Sequence, residues 1–306
     1  MQSQPMPFVE KTTALKPARL GKPLKGITVL SLALNLPGPA ALMRCRQMGA
    51  TCIKLEPPSG DPMRHYNPAA YAQMHDGVRL VTADLKTPAG QAVLQRELAK
   101  TDVLITSFRP SATEKLGLGW RKLHRLFPAL SQIAIVGARG ARAEEAGHDL
   151  TYIAEAGLLP SLELPATLYA DMGGSLIASE AVLQAVMLTR ANGKGVFKEV
   201  ALSDAATYLA LPHRWGLTRA SGMVGGAHAG YGVYACQDGR VALAALEPHF
   251  ALRLCAVAGV TSTGESVMLE SQTRRSLEAF FAGMTCSQVN QLASAHDLPL
   301  QTLPKK

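Results

Sequence analysis

Strand-like runs alternate with longer helical segments from residue 26 onward, and this order limits the possible folds more than any other feature. Helical spacing of apolar residues fills 39–50 and 88–101. Five apolar runs rich in β-branched residues are typical of buried strands: 26–33, 51–57, 79–85, 102–108 and 130–137. Strands that alternate with helices form a mostly parallel sheet covered on both faces. The sequence therefore predicts an α/β, Rossmann-like large domain.

The second half of the chain predicts the end of that domain and a smaller one. Its helical patterns cover 149–159, 173–191 and 203–220, and its strand-like run at 197–203 joins the same large sheet. Gly225-Gly226 then marks a break, and Asp238-Gly239 lies between two alternating runs, which indicates a β-hairpin. Further helical patterns follow at 247–258, 275–284 and 286–296. We expect a flexible lead-in (1–22), a large α/β domain (23–224) and a small α+β domain (225–306).

Composition narrows the class of protein. In 306 residues, 47% hydrophobic and 18% charged side chains suffice for a large core and exclude a disordered chain. A net charge of +8 favours an anionic partner: a nucleic acid, a membrane surface or a phosphorylated small molecule. Dispersed basic residues without interleaved aromatics count against nucleic acid. No apolar run approaches about 18 residues, so neither a membrane span nor a membrane partner is expected.

The five cysteines predict a reducing compartment. They are odd in number, widely spaced and without a CxxC pair, so neither a disulfide framework nor a zinc site is expected. We also expect no other metal, since no His/Cys/carboxylate cluster has ligand spacing. The N-terminus has no apolar core of a signal peptide, which adds to the expectation of a cytoplasmic location.

Four local features can carry chemistry, and each has a plain structural alternative. His148-Asp149 precedes a helical run, Asp171 precedes Gly173-Gly174 at the mouth of a glycine-rich turn, and Glu247 precedes a proline at a helix start. Helix capping is the default explanation of all three carboxylates, and the alternative at Asp171 is a Gly173-Gly174 turn whose backbone N–H groups face an oxyanion. The fourth feature is a set of cations that follow predicted strands, where open α/β sheets bind phosphorylated ligands: Lys86, Arg109 and Lys115.

Missing motifs exclude several enzyme classes. The first strand is followed by Leu36-Pro-Gly-Pro39 instead of GxGxxG, which disfavours a nicotinamide cofactor. The chain also lacks the phosphate-binding GxxxxGK[ST] loop and the hydrolase GxSxG elbow.

These segments together resemble the class III CoA-transferase and alpha-methylacyl-CoA racemase superfamily, of CaiB/BaiF type. The resemblance runs in colinear order from about 24 to 300, and the segments that carry it are Pro23–Leu30, Leu36–Pro39, Val81–Lys86, Phe108–Pro110, Glu114–Leu118, Gly147–Asp149, Ala170–Gly174, Gly193–Gly195, Asp238–Gly239 and Glu247–Pro248. The GHDxxY segment (147–152) and the Glu-Pro-x-Phe segment (247–250) are similar to the racemase branch. Family members usually extend further than Lys306, so the resemblance implies a small domain shortened at its C-terminus.

The resemblance implies a homodimer of interlocked chains and a set of site residues. His148 and Asp171 would exchange the C2 proton of an acyl-CoA, while Asp149 and Glu247 would orient or tune them, Glu247 in the other chain's site. The implied contacts to CoA are Ala83, Lys86, Arg109 and Lys115. CoA is part of the substrate, and no permanently bound cofactor is expected.

Three functions remain open on the sequence. The first is a racemase that inverts C2 of a 2-methyl-branched acyl-CoA by two-base proton transfer through an enolate. The second is a CoA-transferase that moves CoA between carboxylic acids through an aspartyl-CoA thioester at Asp171. The third is a catalytically inactive, CoA-binding homologue. The residues do not identify the acyl group.

Overall fold

The computed structural model describes residues 21–260 and 266–305. Most of the expected lead-in (1–22) therefore lies outside the described residues. The chain divides into two compact units, the first ending at Leu209 and the second beginning at Ala210. This division precedes the Gly225-Gly226 pair at which the sequence places the domain boundary.

The first unit contains a six-stranded, fully parallel sheet. Its spatial order is β3-β2-β1-β4-β5-β6, the order of a Rossmann fold. The strands are β1 (Thr28–Ser31), β2 (Thr51–Glu56), β3 (Arg79–Thr82), β4 (Val103–Thr106), β5 (Ser131–Val136) and β6 (Phe197–Ala201). The predicted α/β, Rossmann-like class is confirmed, and the central strands β4 and β5 are buried along their whole length.

Among the described residues, nine α-helices accompany this sheet: α1 (Pro37–Gln47), α2 (Met63–Tyr66), α3 (Pro68–His75), α4 (Pro88–Leu98), α5 (Pro110–Lys115), α6 (Trp120–Leu126), α7 (Asp149–Glu155), α8 (Tyr169–Asn192) and α9 (Leu202–Leu209). Four of them start with proline, whose fixed φ suits the first helical position and whose missing N–H is not needed there. The sequence predictions did not include α2, α3, α5 and α6, which are short.

Helix α8 forms part of the core of the first unit. By length and composition alone it could cross a membrane, but long buried core helices pass the same test. Its small residues Ala178, Val182 and Ala185 are buried. On its second turn, Gly174 allows α9 to approach, because a Cβ there would collide with Leu202.

The second unit is a small α+β body, as predicted. Its antiparallel sheet has the order β7-β8-β9. The elements are α10 (Leu211–Arg214), β7 (Tyr231–Cys236), β8 (Gly239–Ala244), α11 (Pro248–Ala258), α12 (Ser271–Ala282), α13 (Cys286–His296) and β9 (Leu300–Pro304). Strand β9 had no clear sequence signal, since it is short and ends in proline.

Two local predictions are corrected. The pattern at 203–220 is not one helix: α9 ends at Leu209, because Pro212 lacks an N–H and its ring would clash with the carbonyl four residues earlier. The hairpin at 230–246 is present, but its turn residues are Gln237 and Asp238, while Gly239 already pairs with Cys236.

Candidate active site

A cleft of about 550 Å³ opens at the carboxyl edge of the parallel sheet. Its walls come from the loops after β1 and β4, the end of β5, and the first turns of α7 and α8. The strand order reverses between β1 and β4, and open α/β sheets bind ligands outside the carboxyl ends of their strands at such a point. The cleft is therefore where this fold places a ligand.

His148 lines this cleft from the start of α7. It is the residue before the first helical position, and it is exposed. Its backbone N–H donates to the Thr151 hydroxyl at 3.1 Å, and that hydroxyl donates to the His148 carbonyl at 2.8 Å. These two bonds hold the backbone of His148 at the cleft wall.

Asp171 lines the same cleft from the first turn of α8, and Asp149 connects it to α7. The carboxylate of Asp149, only 4% exposed, accepts the backbone N–H of Asp171 at 3.0 Å through Oδ1. Its Oδ2 atom is buried and has no hydrogen-bond partner in the described part of the chain. Asp149 therefore caps α8 and not its own helix, which corrects the simple capping alternative. The fold brings His148, Asp149 and Asp171 together.

The environment of Asp171 raises its pKa to about 6, chiefly because burial disfavours the charged carboxylate. The nearby charge of Asp149 acts in the same direction, and His148 opposes both. A carboxyl group with this pKa is available as both acid and base close to neutral pH.

Gly173 and Gly174 are helical, which corrects the predicted glycine-rich turn. They lie within α8, after its first turn. A Cβ at Gly173 would be 3.1 Å from Leu209, so these glycines allow close packing of α8 on α9. The predicted oxyanion donors at a Gly173-Gly174 turn therefore do not form.

The predicted cations separate into two groups. Arg109 lines the cleft with Asp171, whereas Lys86 and Lys115 line a neighbouring cleft of about 660 Å³. Lys122 from α6 lines the second cleft too, and the sequence reasoning missed it because it follows no strand. None of these four cations forms an ion pair within 21–260 and 266–305. Ala83 is buried in the apolar core beside the sheet and lines neither cleft.

The family model described as CoA-transferase family III matches residues 24–304. The chain belongs to this family. Among its relatives is human alpha-methylacyl-CoA racemase, 30% identical over 245 residues that cover 74% of this chain and 62% of the human protein. Succinyl-CoA–D-citramalate CoA-transferase of Chloroflexus aurantiacus is 37% identical over 124 residues, 38% of this chain and 31% of that protein.

A solved structure has the same fold as this family III protein. The crystal structure of the hypothetical protein Rv3272 from Mycobacterium tuberculosis is similar with a TM-score of 0.81 and 25% identity, covering 93% of this chain and 86% of that one. The matched segments span less than two thirds of the curated relatives named above. The match therefore establishes the family and the fold, and both racemases and CoA-transferases are among the relatives.

Glu247 of this family III protein lies in the second unit. It precedes Pro248 at the start of α11, and its side chain makes no capping hydrogen bond. The ring of His249 lies against Phe250, with 3.9 Å between the ring centroids. The role of Glu247 in a partner's site stays a prediction.

Tyr152 is a cleft residue that the sequence analysis includes in the GHDxxY segment without giving it a role. It lines the cleft from α7, and it is 8% exposed. A signal was available, because Tyr152 is the tyrosine of the same GHDxxY segment that contains His148.

Two clusters of possible metal ligands occur in the part of the chain that the structure describes, and sequence spacing revealed neither. Glu56, Asp61 and His75 converge in the first unit, but the ammonium of Lys54 lies among them. The other cluster, in the second unit, is Cys236, Asp238 and Cys286. The Asp238 carboxylate there accepts the Cys286 backbone N–H at 2.7 Å, as a helix cap does.

Proposed function

We propose that this family III protein is an acyl-CoA racemase that inverts the C2 centre of a 2-methyl-branched acyl-CoA. The observation that carries the proposal is the pairing of His148 with Asp171 in one cleft, where the pKa of Asp171 is raised to about 6. Inversion requires one group that removes a proton and a second that returns one to the opposite face. A histidine and a near-neutral carboxyl group suit both tasks.

The proton transfer runs through an enolate. One of the two side chains takes the C2 proton, and the C–H electron pair becomes the C1–C2 double bond while negative charge moves to the thioester oxygen. The other side chain then protonates C2 from the opposite face. Asp149 positions Asp171 through its backbone N–H, and the two bases exchange roles between the R and S directions.

The cations bind the CoA portion of the substrate in this proposal. Lys86, Lys115 and Lys122 surround one cleft and Arg109 lines the other, all without ion pairs among the described residues. Unpaired cations near the carboxyl edge of a Rossmann sheet suit the phosphates of a nucleotide. Ala83 is the remaining proposed contact. CoA enters and leaves as part of the substrate, and no resident cofactor is proposed.

Deuterium exchange tests the racemase. In D2O the wild-type protein should exchange the C2 proton of an acyl-CoA without an added acid, and His148→Ala should lower the rate by about 10²- to 10⁴-fold. CoA affinity should change little, because His148 does not line the cleft that contains Lys86 and Lys115. His296→Ala, an exposed histidine of the second unit, is the matched control. Exchange by His148→Ala at the wild-type rate would end the two-base mechanism.

A CoA-transferase is the second candidate, favoured by the carboxylate at Asp171 and by transferases among the relatives. A raised pKa makes a carboxylate a better nucleophile for an acyl group. This candidate expects acyl-CoA consumption only when an acceptor acid is added, and hydroxylamine should then trap Asp171. CoA binding without either activity would identify a non-catalytic homologue.

Lysine variants test the CoA contacts separately from the chemistry. Lys115→Ala should weaken CoA binding by about fivefold, since an exposed charge contact is worth roughly 1 kcal/mol. The difference should shrink as salt is added, because exposed charges are screened. Titration calorimetry measures both, with the exposed Lys25→Ala as control. Equal affinities of the two variants at low salt would remove Lys115 from the site.

A second copy of the chain is the partner we propose for the surface of α8 and α9. Apolar residues Leu176, Ile177, Leu183 and Leu209 line a cleft there beside Tyr208, which is 68% exposed. The family resemblance adds that Glu247 of one copy completes the site of the other. Sedimentation should give twice the chain mass, and Leu176→Arg should give one chain mass.

The proposed location is the reducing cytoplasm. All five cysteines are buried and free, and the Sγ atoms of Cys236 and Cys286 are 3.5 Å apart. Such a close pair of thiols persists in a reducing compartment.

A further inference from the structure

The hydroxyl of Tyr152 is fixed between two stretches of backbone at the cleft. A Cβ added at Gly147 would lie 2.5 Å from this hydroxyl, and one at Gly137 would lie closer still. Both glycines and the tyrosine line the cleft. The ring is buried and wedged, so the hydroxyl has a defined position on the wall.

This hydroxyl donates to no atom in the residues that the structure describes. Another buried tyrosine shows the usual arrangement: the Tyr234 hydroxyl in the second unit donates to the Ala229 carbonyl. The Tyr152 ring is buried while its hydroxyl opens into the cleft, and a phenylalanine would fill the same space without presenting a donor there. The Tyr152 hydroxyl therefore points to a partner that occupies the cleft.

The chemistry of the cleft indicates what that partner is. Asp171 and His148 handle a proton in the proposed function, so negative charge develops on the adjacent thioester oxygen. Gly173 and Gly174 are inside α8 and do not form the expected turn of oxyanion donors. A neutral hydroxyl that is already fixed in place can donate to the charged thioester oxygen without moving during the reaction.

We infer that the Tyr152 hydroxyl donates a hydrogen bond to the thioester carbonyl oxygen of the bound acyl-CoA. The inference rests on the proposed function and holds for either candidate reaction, because an enolate and a tetrahedral intermediate both place charge on that oxygen. The tyrosine keeps its proton throughout. The C2 proton moves to the base, the electron pair moves toward the oxygen, and the hydrogen bond strengthens as the charge grows.

The titration of Tyr152 is consistent with a donor role. Burial raises its pKa, and the nearby Asp171 carboxylate raises it further. The phenol therefore stays protonated at neutral pH. Tyr152 and Asp171 line the same cleft, so a carbonyl beside C2 is within the space that both side chains face.

Tyr152→Phe tests the inference, because it keeps the ring and removes only the donor. We expect kcat to fall by roughly 10²-fold, as for loss of one oxyanion donor, with KM for acyl-CoA changed less than about threefold. The melting temperature should not fall. Tyr234→Phe is the matched control: it removes an internally bonded hydroxyl, so it should lower the melting temperature and keep kcat. A Tyr152→Phe variant with wild-type kcat, or with lowered stability, would overturn the donor role.

Infrared spectroscopy gives a readout that does not depend on turnover. With acyl-CoA labelled with carbon-13 at the thioester carbonyl, the bound C=O stretch should lie at lower wavenumber in the wild type than in Tyr152→Phe. Identical bands would reject the hydrogen bond even if the enzyme is active. A shifted band without exchange or CoA transfer would reject the proposed reactions and retain the contact. A wild-type protein that binds no acyl-CoA would reject both.

Discussion

The first unit contains two clusters of titratable side chains, and each includes an aspartate, a tyrosine and a histidine. The clusters differ in whether these side chains have partners inside the protein. In the buried cluster, defined as Lys54, Glu56, Asp61, Tyr71 and His75, the titratable side chains have partners inside the protein. In the cleft, the corresponding aspartate, tyrosine and histidine are Asp171, Tyr152 and His148. The two clusters share these residue types and differ in the hydrogen-bond and ion-pair partners that the protein provides.

Charges in the buried cluster compensate each other. Lys54 is fully buried and pairs with Asp61, and its Nζ is 3.5 Å from Glu56 and 3.0 Å from Nε2 of His75. Tyr71 donates to Glu56 at 2.7 Å. Burial and the Lys54 charge lower the pKa of His75, which keeps it a neutral partner.

Cleft groups lack this compensation. The Asp171 carboxylate accepts no hydrogen bond from the described residues, the Tyr152 hydroxyl donates none, and one oxygen of Asp149 is buried without a partner. Polar groups that face a cleft without a protein partner, together with a carboxyl pKa raised by burial, are typical of functional sites because folding alone does not favour them. The buried cluster therefore has a structural role, and the cleft residues have a chemical one.

The two clusters are connected through the loop after β1. Asp61 accepts the backbone N–H of Asn35 at 3.0 Å and that of Met63 at 2.9 Å, and both of these residues line the cleft. Asn35 has a φ of 66°, a conformation that needs support from its surroundings. The buried cluster therefore helps to hold one wall of the cleft.

Lys54→Met should have the largest effect on stability. It leaves Asp61 and Glu56 buried without their shared cation, which costs about 3–5 kcal/mol in the free energy of unfolding. Chemical denaturation measures the loss, and Lys25→Met at an exposed position is the control. A loss below about 1 kcal/mol would contradict the structural role of the buried cluster.

Asp171→Asn should raise the stability of the folded protein at pH 8 and remove its activity. The pKa of Asp171 is raised from 3.8 to about 6, so charging it destabilises the folded protein above that pH and has no effect below about pH 4. At pH 8 the variant should be more stable by roughly 2 kcal/mol, since a pKa unit is worth ~1.4 kcal/mol and the group is partly exposed. Melting temperatures at pH 4 and pH 8 test this. An equal difference at both pH values would contradict it.

Glycine variants should show a smaller effect that locates the Tyr152 hydroxyl. Gly137→Ala should cost about 1–3 kcal/mol by overpacking against that hydroxyl. Adding Tyr152→Phe should recover much of this loss, because the nearest ring atom to the new Cβ would be 3.1 Å away. At Gly147 ring carbons lie at 2.7 and 2.8 Å, so the same second change should not rescue Gly147→Ala. Equal rescue at both positions, measured by denaturation, would place the hydroxyl elsewhere.

Much of the fold could be predicted because its signals are local. Apolar β-branched runs identified all six parallel strands, and alternation around residue 238 identified the hairpin. The misses have weak local signals: β9 is short, and a proline divides the pattern at 203–220 into α9 and α10.

The sequence alone determined the α/β class, the family resemblance, and the candidate residues His148, Asp149 and Asp171. Only the tertiary structure decided which atoms have partners: that Asp149 caps α8, that Glu56 belongs to a buried ion cluster, and that the Tyr152 hydroxyl faces the cleft without a partner among the described residues. The physical reason is the distance along the chain over which each effect acts. Propensity and periodicity act over a few residues, whereas burial and hydrogen-bond partners depend on segments that meet only when the chain folds.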